Sequence, residues 1–440
     1  MSSPGLRIET FGNIRGAPLL ERELDALNRA SRRPTPFNGT GYLQAFIDHD
    51  EFAAPGREAR LLAAVEGDRL VGFLPLRRRE ARALGRTEAM VEFLVTYDND
   101  RPAMAVRPED ERRCADAFRT HLLETARDWS VLELVNLEED SPLLPAPGSA
   151  LRGVYARTLE GKPTAIVPTP GPDVAAWFKT IKKSWRHTVS RLGRRFLSAG
   201  RAELVASADP RARLPLLDLY LDLERRSWKR EHGLGRHPAR LALHRALCAP
   251  EQDLRLSFQL LLLDGVVVAG MICGDFAGVH YGMEICYDAG FAALGPGNMM
   301  SLLSIREAIR NGAPAQNLFA DFGYYKSNWG ATLVPTRTLQ LFRTGSAHWL
   351  KARAGDLRRR LARAPADPEK GRFNQVKREV DGGEKPAPAA PGLPPRDEER
   401  ALAARVLAEL ARSGAAVERL GGAELEAAMP FPPAKDRSGT

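Results

Sequence analysis

The chain lays out one arrangement twice. From Arg57 to Arg79 it reads "REARLLAAVEGDRLVGFLPLRRR", a β-rich run, a Glu66-Gly67-Asp68 turn and a second run. From Arg255 to Phe276 it reads "RLSFQLLLLDGVVVAGMICGDF", with Asp264-Gly265 at the corner, a dipeptide that favours a two-residue hairpin turn. Each hairpin is followed by a strand-like run (Thr87–Tyr97 and Val279–Tyr287), a helical pattern (Glu109–Asp128 and Asn298–Asn311) and a last strand (Val131–Leu137 and Asn317–Phe322). Sheets covered by helices are layered α/β structure. The expectation is an α/β chain of two lobes in tandem, each a mixed central sheet flanked by helices. The 440 residues suffice for two or three domains.

The lobes are assigned to residues 1–165 and 166–364, and residues 365–440 to a Pro/Ala-rich, flexible C-terminal tail. "APADPEKGRFNQVKREVDGGEKPAPAAPGLPPR" has the composition of a linker, and "RDEERALAARVLAELARS", Arg396–Ser413, can form a short helix. No basic start followed by an apolar stretch marks a signal peptide, and "LLLLDGVVVAGMIC" is too short and turn-like to span a bilayer. Cys114, Cys248, Cys273 and Cys286 have neither metal spacing nor a disulfide framework, so buried thiols, no metal and a reducing cytoplasm are expected. The net charge of +9 points to acidic partners without choosing among CoA phosphates, anionic glycans, lipid headgroups and nucleic acid.

Between the repeats, Asp173–Gly200 reads as one long helix. Trp177, Ile181, Trp185, Val189, Leu192 and Phe196 recur every three or four residues as an apolar stripe. The opposite face holds Lys179, Lys182, Lys183, Arg186, Arg191, Arg194 and Arg195 without an acid. Aromatics that share a stripe with aliphatics belong to a core, so base stacking, and with it nucleic acid, is not expected. Helices are also expected at Leu214–Glu231 and Pro238–Leu247.

"AALGPGNMMSLLSIREAIRNG", Ala292–Gly312, sets a Gly-Pro-Gly corner against a helix start. A helix start carries unpaired N–H groups and partial positive charge, and glycines let a phosphate approach its backbone. Asn298 is a candidate cap, Leu302, Ile305 and Ile309 the buried face, and Asn311-Gly312 the stop. A well-capped helix would look the same. The other repeat breaks the tie: at "MAVRPEDERR", Glu109, Asp110 and Glu111 fill the first turn, which repels phosphate at close range. An anion site is therefore expected in the second lobe only.

The strand, Gly-rich corner, helix and closing "ADFGYYKSNWG" (Ala320–Gly330) resemble the GNAT acetyltransferases, and more narrowly their CelD/BcsL or BioF-like branch, related to the Fem-type aminoacyl transferases. The resemblance covers roughly Trp177–Phe342, and more weakly the first lobe with its "LVGFLPL". Gly295-Pro296-Gly297 stands where the branch typically has Ser-Pro-Gly. Asp321-Phe322, Gly323, Tyr325-Lys326 and Trp329-Gly330 match its closing motif, with the middle shortened and its acids missing. The resemblance implies two GNAT-like lobes with only the second catalytic. It also implies acetyl-CoA as co-substrate, and an amine or hydroxyl acceptor, a sugar in exopolysaccharide or envelope-glycan synthesis among them.

Such a site holds the CoA pyrophosphate at Gly295, Pro296, Gly297, Asn298 and Met299. It then needs a base for the acceptor, a donor for the oxyanion and a proton for the thiolate. Unbroken alternation along "VHYGMEICY" puts His280, Gly282, Glu284 and Cys286 on one face, with His280 and Glu284 roughly 13 Å apart. Glu284, nearer the corner, is the candidate base or acceptor-binding group, against a salt-bridged strand carboxylate; His280 reads as a strand-edge surface histidine. Tyr325 or Tyr324 is the candidate proton donor to the thiolate, and Lys326 meets an anion or pairs with Asp321. Two other classes share these features: a Fem-type aminoacyl-tRNA-dependent transferase using the basic helix, and a non-enzymatic member of a polysaccharide-synthesis complex.

Overall fold

The computed structural model describes residues 6–49, 56–95, 99–146, 151–250, 252–320, 324–361 and 396–431. Its strands are β1 (Arg7–Phe11), β2 (Glu58–Glu66), β3 (Arg69–Ala83), β4 (Arg86–Phe93), β5 (Ala105–Val106), β6 (Val131–Glu138), β7 (Val154–Glu160) and β8 (Thr164–Pro168). They continue as β9 (Ala202–Ser207), β10 (Arg255–Leu263), β11 (Val266–Phe276), β12 (Val279–Tyr287), β13 (Ala315–Ala320), β14 (Thr332–Val334), β15 (Thr336–Arg343) and β16 (Glu418–Gly421).

Two mixed sheets result. One runs β1-β2-β3-β4-β6-β15-β7 with β5 beside β3, the other β14-β8-β13-β12-β11-β10-β9-β16. The repeat is visible in the pairing: β1 to β4 and β9 to β12 are antiparallel series, each followed by a helix and a parallel strand. Both hairpins carry a bulge just before the turn, at Ala64/Val65 and Leu261/Leu262. Asp264 (φ 50°) and Gly265 (φ 78°) take the positive φ values that a two-residue hairpin turn of this kind requires.

The chain does not divide where expected. The 165/166 boundary falls inside β8, a strand of the second sheet, and β15 returns from the second half to pair with β6 and β7 of the first. Strand edges seek partners irrespective of sequence distance, which local patterning does not record. The lobes also share a core: Leu24, Phe37, Phe46 and Phe73 from one half form one apolar cluster with Tyr220, Leu243, Ile272 and Tyr281 from the other.

Two further expectations need correction. The stretch Asp173–Gly200 is two helices, Val174–Thr180 and Lys183–Leu197, because Ile181 is extended (φ −76°, ψ 160°) while still burying its side chain in the apolar stripe. Its aromatics are core residues: Trp329 stacks on Trp177 (6.5 Å between centroids) and meets Trp185 edge-on (5.7 Å). Past the linker, the short helix is present at Asp397–Arg412, but residues 396–431 also supply β16, which pairs with β9, and Phe431, which meets Phe178. That part of the tail completes the second sheet; residues 365–395 and 432–440 lie outside the described residues.

All four cysteines are free and buried. Among the described residues no helix is long and apolar enough to cross a membrane, and no group of three His, Cys, Asp or Glu could hold a metal ion.

Candidate acyl-transfer site

β12 and β13 are paired for only three residues, Val279–Tyr281 against Ala315–Asn317, and then separate. Beyond that point each strand leaves backbone N–H and C=O groups on the side facing the other without a ladder partner there. A cavity of about 810 Å³ occupies the gap. It is lined by Glu284 from β12, by Gly295, Pro296, Gly297 and Asn298 from the corner, and by Lys326. Six of the nine residues expected at the site thus meet at one cavity.

The corner is built from conformation and close approach. Asp288 accepts a bond from the Gly290 amide (2.8 Å) to cap a short 3-10 turn, Ala289–Leu294. The chain then reverses through Gly295 in the left-handed region (φ 66°, ψ 39°) into the helix Pro296–Arg310. A Cβ on Gly295 would lie 2.9 Å from Leu192, and one on Gly297 would lie 2.8 Å from the Tyr287 ring. Packing alone therefore demands both glycines, so they do not by themselves argue for a ligand.

The charge pattern does. No acid lies in the first turn of Pro296–Arg310. Pro296 has no N–H, and the amides of Asn298 and Met299 bond Gly295 O (3.0 and 3.3 Å), which leaves Gly297 as the first-turn amide outside this bonding. The expected cap is corrected: Gly295 is the N-cap, Asn298 sits inside the first turn, and no side chain caps the helix. The Met299 side chain is fully buried in the core. In the first lobe the matching helix Glu111–Thr120 keeps its acids, with Asp110 bonded to Arg113 (2.8 Å) and Glu111 near Arg32 (3.3 Å).

A second asymmetry was not expected. The β11–β12 ladder slips at Ile272/Cys273, so that Glu284 opposes Ile272 while Gly282 opposes Cys273 and Met283 is the extra residue. The β3–β4 ladder of the first lobe is continuous. The bulge inverts the alternation of β12, and a one-residue slip moves every later side chain to the other face. His280 accordingly faces the helix Pro296–Arg310, its Nδ1 2.7 Å from Asp275 and its Nε2 3.3 Å from Ser304 Oγ. It is a buried, satisfied core histidine, not a strand-edge one. Burial opposes its charge, but Cys273 and the Asp275 carboxylate outweigh it and push the pKa up to about 10.

Glu284 points the opposite way, 4% exposed, between Lys229 Nζ at 2.7 Å on Oε2 and Arg240 on Oε1. Burial would raise its pKa, yet Lys229, Arg240 and His244 together hold it below the usual carboxylate value. With both oxygens bonded to cations, Glu284 is a poor proton acceptor. The structure makes it the counter-ion of two cations that line the same cavity. Neither cation was singled out in the sequence: Lys229 follows the helix Pro210–Arg225, and Arg240 lies in the first turn of the helix Pro238–Leu247.

Lys326 is tied to the backbone at the cavity wall. Its Nζ donates to Phe319 O (3.1 Å) and Ala320 O (2.8 Å), closing the end of β13. Phe319, on the cavity wall, is held at φ 63°, a conformation uncommon for a residue with a Cβ. Asn317 fixes it by accepting the Phe319 N–H (2.7 Å) and donating to Asp100 of the first lobe (3.3 Å). Asn317→Ala is expected to destabilise the protein by about 1–3 kcal/mol, since it strands a buried amide and carboxylate; denaturant unfolding checks this, and an unchanged midpoint would refute the anchoring role. Asp321 lies outside the described residues, as do the side chains of Tyr324 and Tyr325.

Residues 183–327 match the family model described as "Acetyltransferase (GNAT) domain". Among solved structures, "FemX" shares 13% identity at a TM-score of 0.48, over 72% of this chain and 95% of that one. A "tandem GNAT protein from the clavulanic acid biosynthesis pathway" shares 15% at 0.44, over 78% and 99%. The C-terminal domain of a lysylphosphatidylglycerol synthetase described as putative, from Agrobacterium fabrum, shares 12% at 0.43, over 75% and 95%. No curated protein matches. All the cavity residues named above fall between 183 and 327. Residues 183–327 thus match a GNAT acetyltransferase domain, and the candidate site lies inside the matched stretch.

Proposed function

We propose that the protein is an acyltransferase that moves an acetyl group from acetyl-CoA to an amine or hydroxyl acceptor, with the second lobe catalytic. The observation that carries this reading is the carboxylate-free helix start of Pro296–Arg310, opening into a cavity between two diverging strands. The first-turn amide and dipole suit a diphosphate. The open backbone edges of β12 and β13 suit the amide-bearing arm of CoA, which would carry the thioester down the gap. Transfer forms a C–N or C–O bond to the acetyl carbon and breaks its C–S bond. The proton lost by the acceptor ends on the sulfur, whose ordinary thiol pKa of about 8.5 makes it an undemanding leaving group. The glycan acceptor implied by the CelD/BcsL resemblance belongs to the same proposal.

The test is thermal unfolding with acetyl-CoA or with bulk tRNA, followed by an assay for thiol release. Protection by acetyl-CoA alone, with thiol appearing on acceptor addition, is expected. Protection by tRNA alone would favour the aminoacyl-tRNA reading. Binding of neither would leave a non-enzymatic role.

A further inference from the structure

The helix Ala347–Leu361 closes one end of the first sheet and takes no part in the cavity. Ala352 packs in a small core with Met90, Val131 and Phe342. The helix start is tied to β4, where Glu88 accepts the Ala347 N–H (2.9 Å) and lies 2.8 Å from His348 Nδ1. At 100° per residue, Leu350 and Leu357 stand about 150° from Ala352, on the side turned away from the sheet. They are 49% and 58% exposed, with the exposed Ala354 between them. Lys351 and Arg358 run along one edge of this stripe, and Arg353, its guanidinium 5.0 Å from the Tyr155 ring, along the other. The helix holds Lys351, Arg353, Arg358, Arg359 and Arg360 against one acid, Asp356, which is bonded to Tyr155, Arg157 and Arg359.

The β3–β4 turn beside the helix start adds a second observation. Ala83 pairs with Arg86, so Leu84 and Gly85 make the turn, both at positive φ (49° and 77°). Asn or Asp suits that conformation better than leucine, and Leu84 gains no burial in exchange, being 63% exposed between Arg82 and Arg86. Single exposed leucines are ordinary, but three beside cations on neighbouring elements are not.

We infer that this helix and turn dock the protein on an anionic lipid bilayer. The helix lies in the interface, with Leu350 and Leu357 among the acyl chains and the cations at the headgroups. A second copy laid on this face would set like charges against one another. A nucleic acid would pair the cations but leave the leucines in water. The inference goes beyond the acetyl-CoA reading and does not depend on it.

The experiment is co-sedimentation of the full chain with vesicles of phosphatidylcholine, alone or mixed with phosphatidylglycerol. Binding to the anionic vesicles is expected to be at least about tenfold tighter, and to weaken with salt. Leu350→Ser with Leu357→Ser is expected to lower it about tenfold while the unfolding midpoint holds, since both side chains are exposed. Lys351→Gln and Arg358→Gln are each expected to lower it about fivefold. Leu84→Asn is expected to weaken binding and raise the unfolding midpoint, because Asn suits the turn. Equal binding to both vesicles, binding to neither, or anionic binding that ignores the leucine changes would overturn the inference. Self-association that the leucine double variant abolishes, without vesicle binding, would assign the stripe to a second copy and overturn it too.

Discussion

Asn298→Asp is expected to raise the thermal stability of the protein and, in the same molecule, to weaken coenzyme A binding by about ten- to a hundredfold. The two effects share one cause. A carboxylate in the first turn interacts favourably with the helix dipole, worth about 0.3–1 kcal/mol, and Asn298 lies in a first turn that has no acid. The same carboxylate would face the bound diphosphate. At roughly 5 Å and an effective dielectric near 20, like charges repel by about 3 kcal/mol, which solvent around a half-buried side chain reduces. The change is isosteric, so it avoids the collision with Tyr287 that any side chain at 297 would create. Asn298→Ala should lose little affinity. Asp110→Asn, at the matching helix of the first lobe, should leave CoA binding unchanged. Calorimetry at low and high salt reads the repulsion directly, since screening must shrink the penalty. A stabilised Asn298→Asp protein with undiminished CoA affinity would mean that the glycine corner serves packing only.

What the sequence discloses and what it hides follow from how far each feature reaches along the chain. The duplicated plan is legible because hairpin turns, strand alternation and helix starts are local: Asp264-Gly265 announces its own backbone conformation, and Gly295-Pro296-Gly297 announces a corner. The bulge at Met283 is not legible, because an extra residue leaves composition and hydrophobicity unchanged while reversing the face of everything after it. That one slip put His280 and Glu284, expected to share a face, on opposite faces, one as a core histidine and the other as a buried counter-ion. Lys229 and Arg240 stayed hidden because their partner lies on a strand that arrives much later in the chain. The break at Ile181 was masked by packing, since the apolar stripe continues across it. The return of β15 to the first sheet is a long-range pairing with no local mark.

Glu284→Gln separates a base from a counter-ion. Gln keeps the shape but removes the charge, and Lys229 and Arg240 would then face one another across a buried amide. Removing one member of a buried pair costs about 3–5 kcal/mol when all partners are enclosed. Here the cations keep a fifth to a quarter of their side-chain surface exposed, so about 2–4 kcal/mol is expected. The pH dependence carries a sign. Because the folded pKa of Glu284 lies below the ordinary 4.5, its stabilisation is fully present above that value and is lost as pH falls through the folded pKa. The difference between wild type and Glu284→Gln should therefore hold through neutral pH and close in acid. Lys229→Met combined with Glu284→Gln should recover part of the loss, because it removes the ammonium that the lost carboxylate had paired. In turnover, a counter-ion role predicts a raised acceptor KM with a smaller fall in kcat. A general base predicts the opposite: kcat collapses, acceptor KM barely moves and stability is nearly unchanged. That second pattern would return Glu284 to the chemistry and deny it the task of holding two cations at the cavity wall.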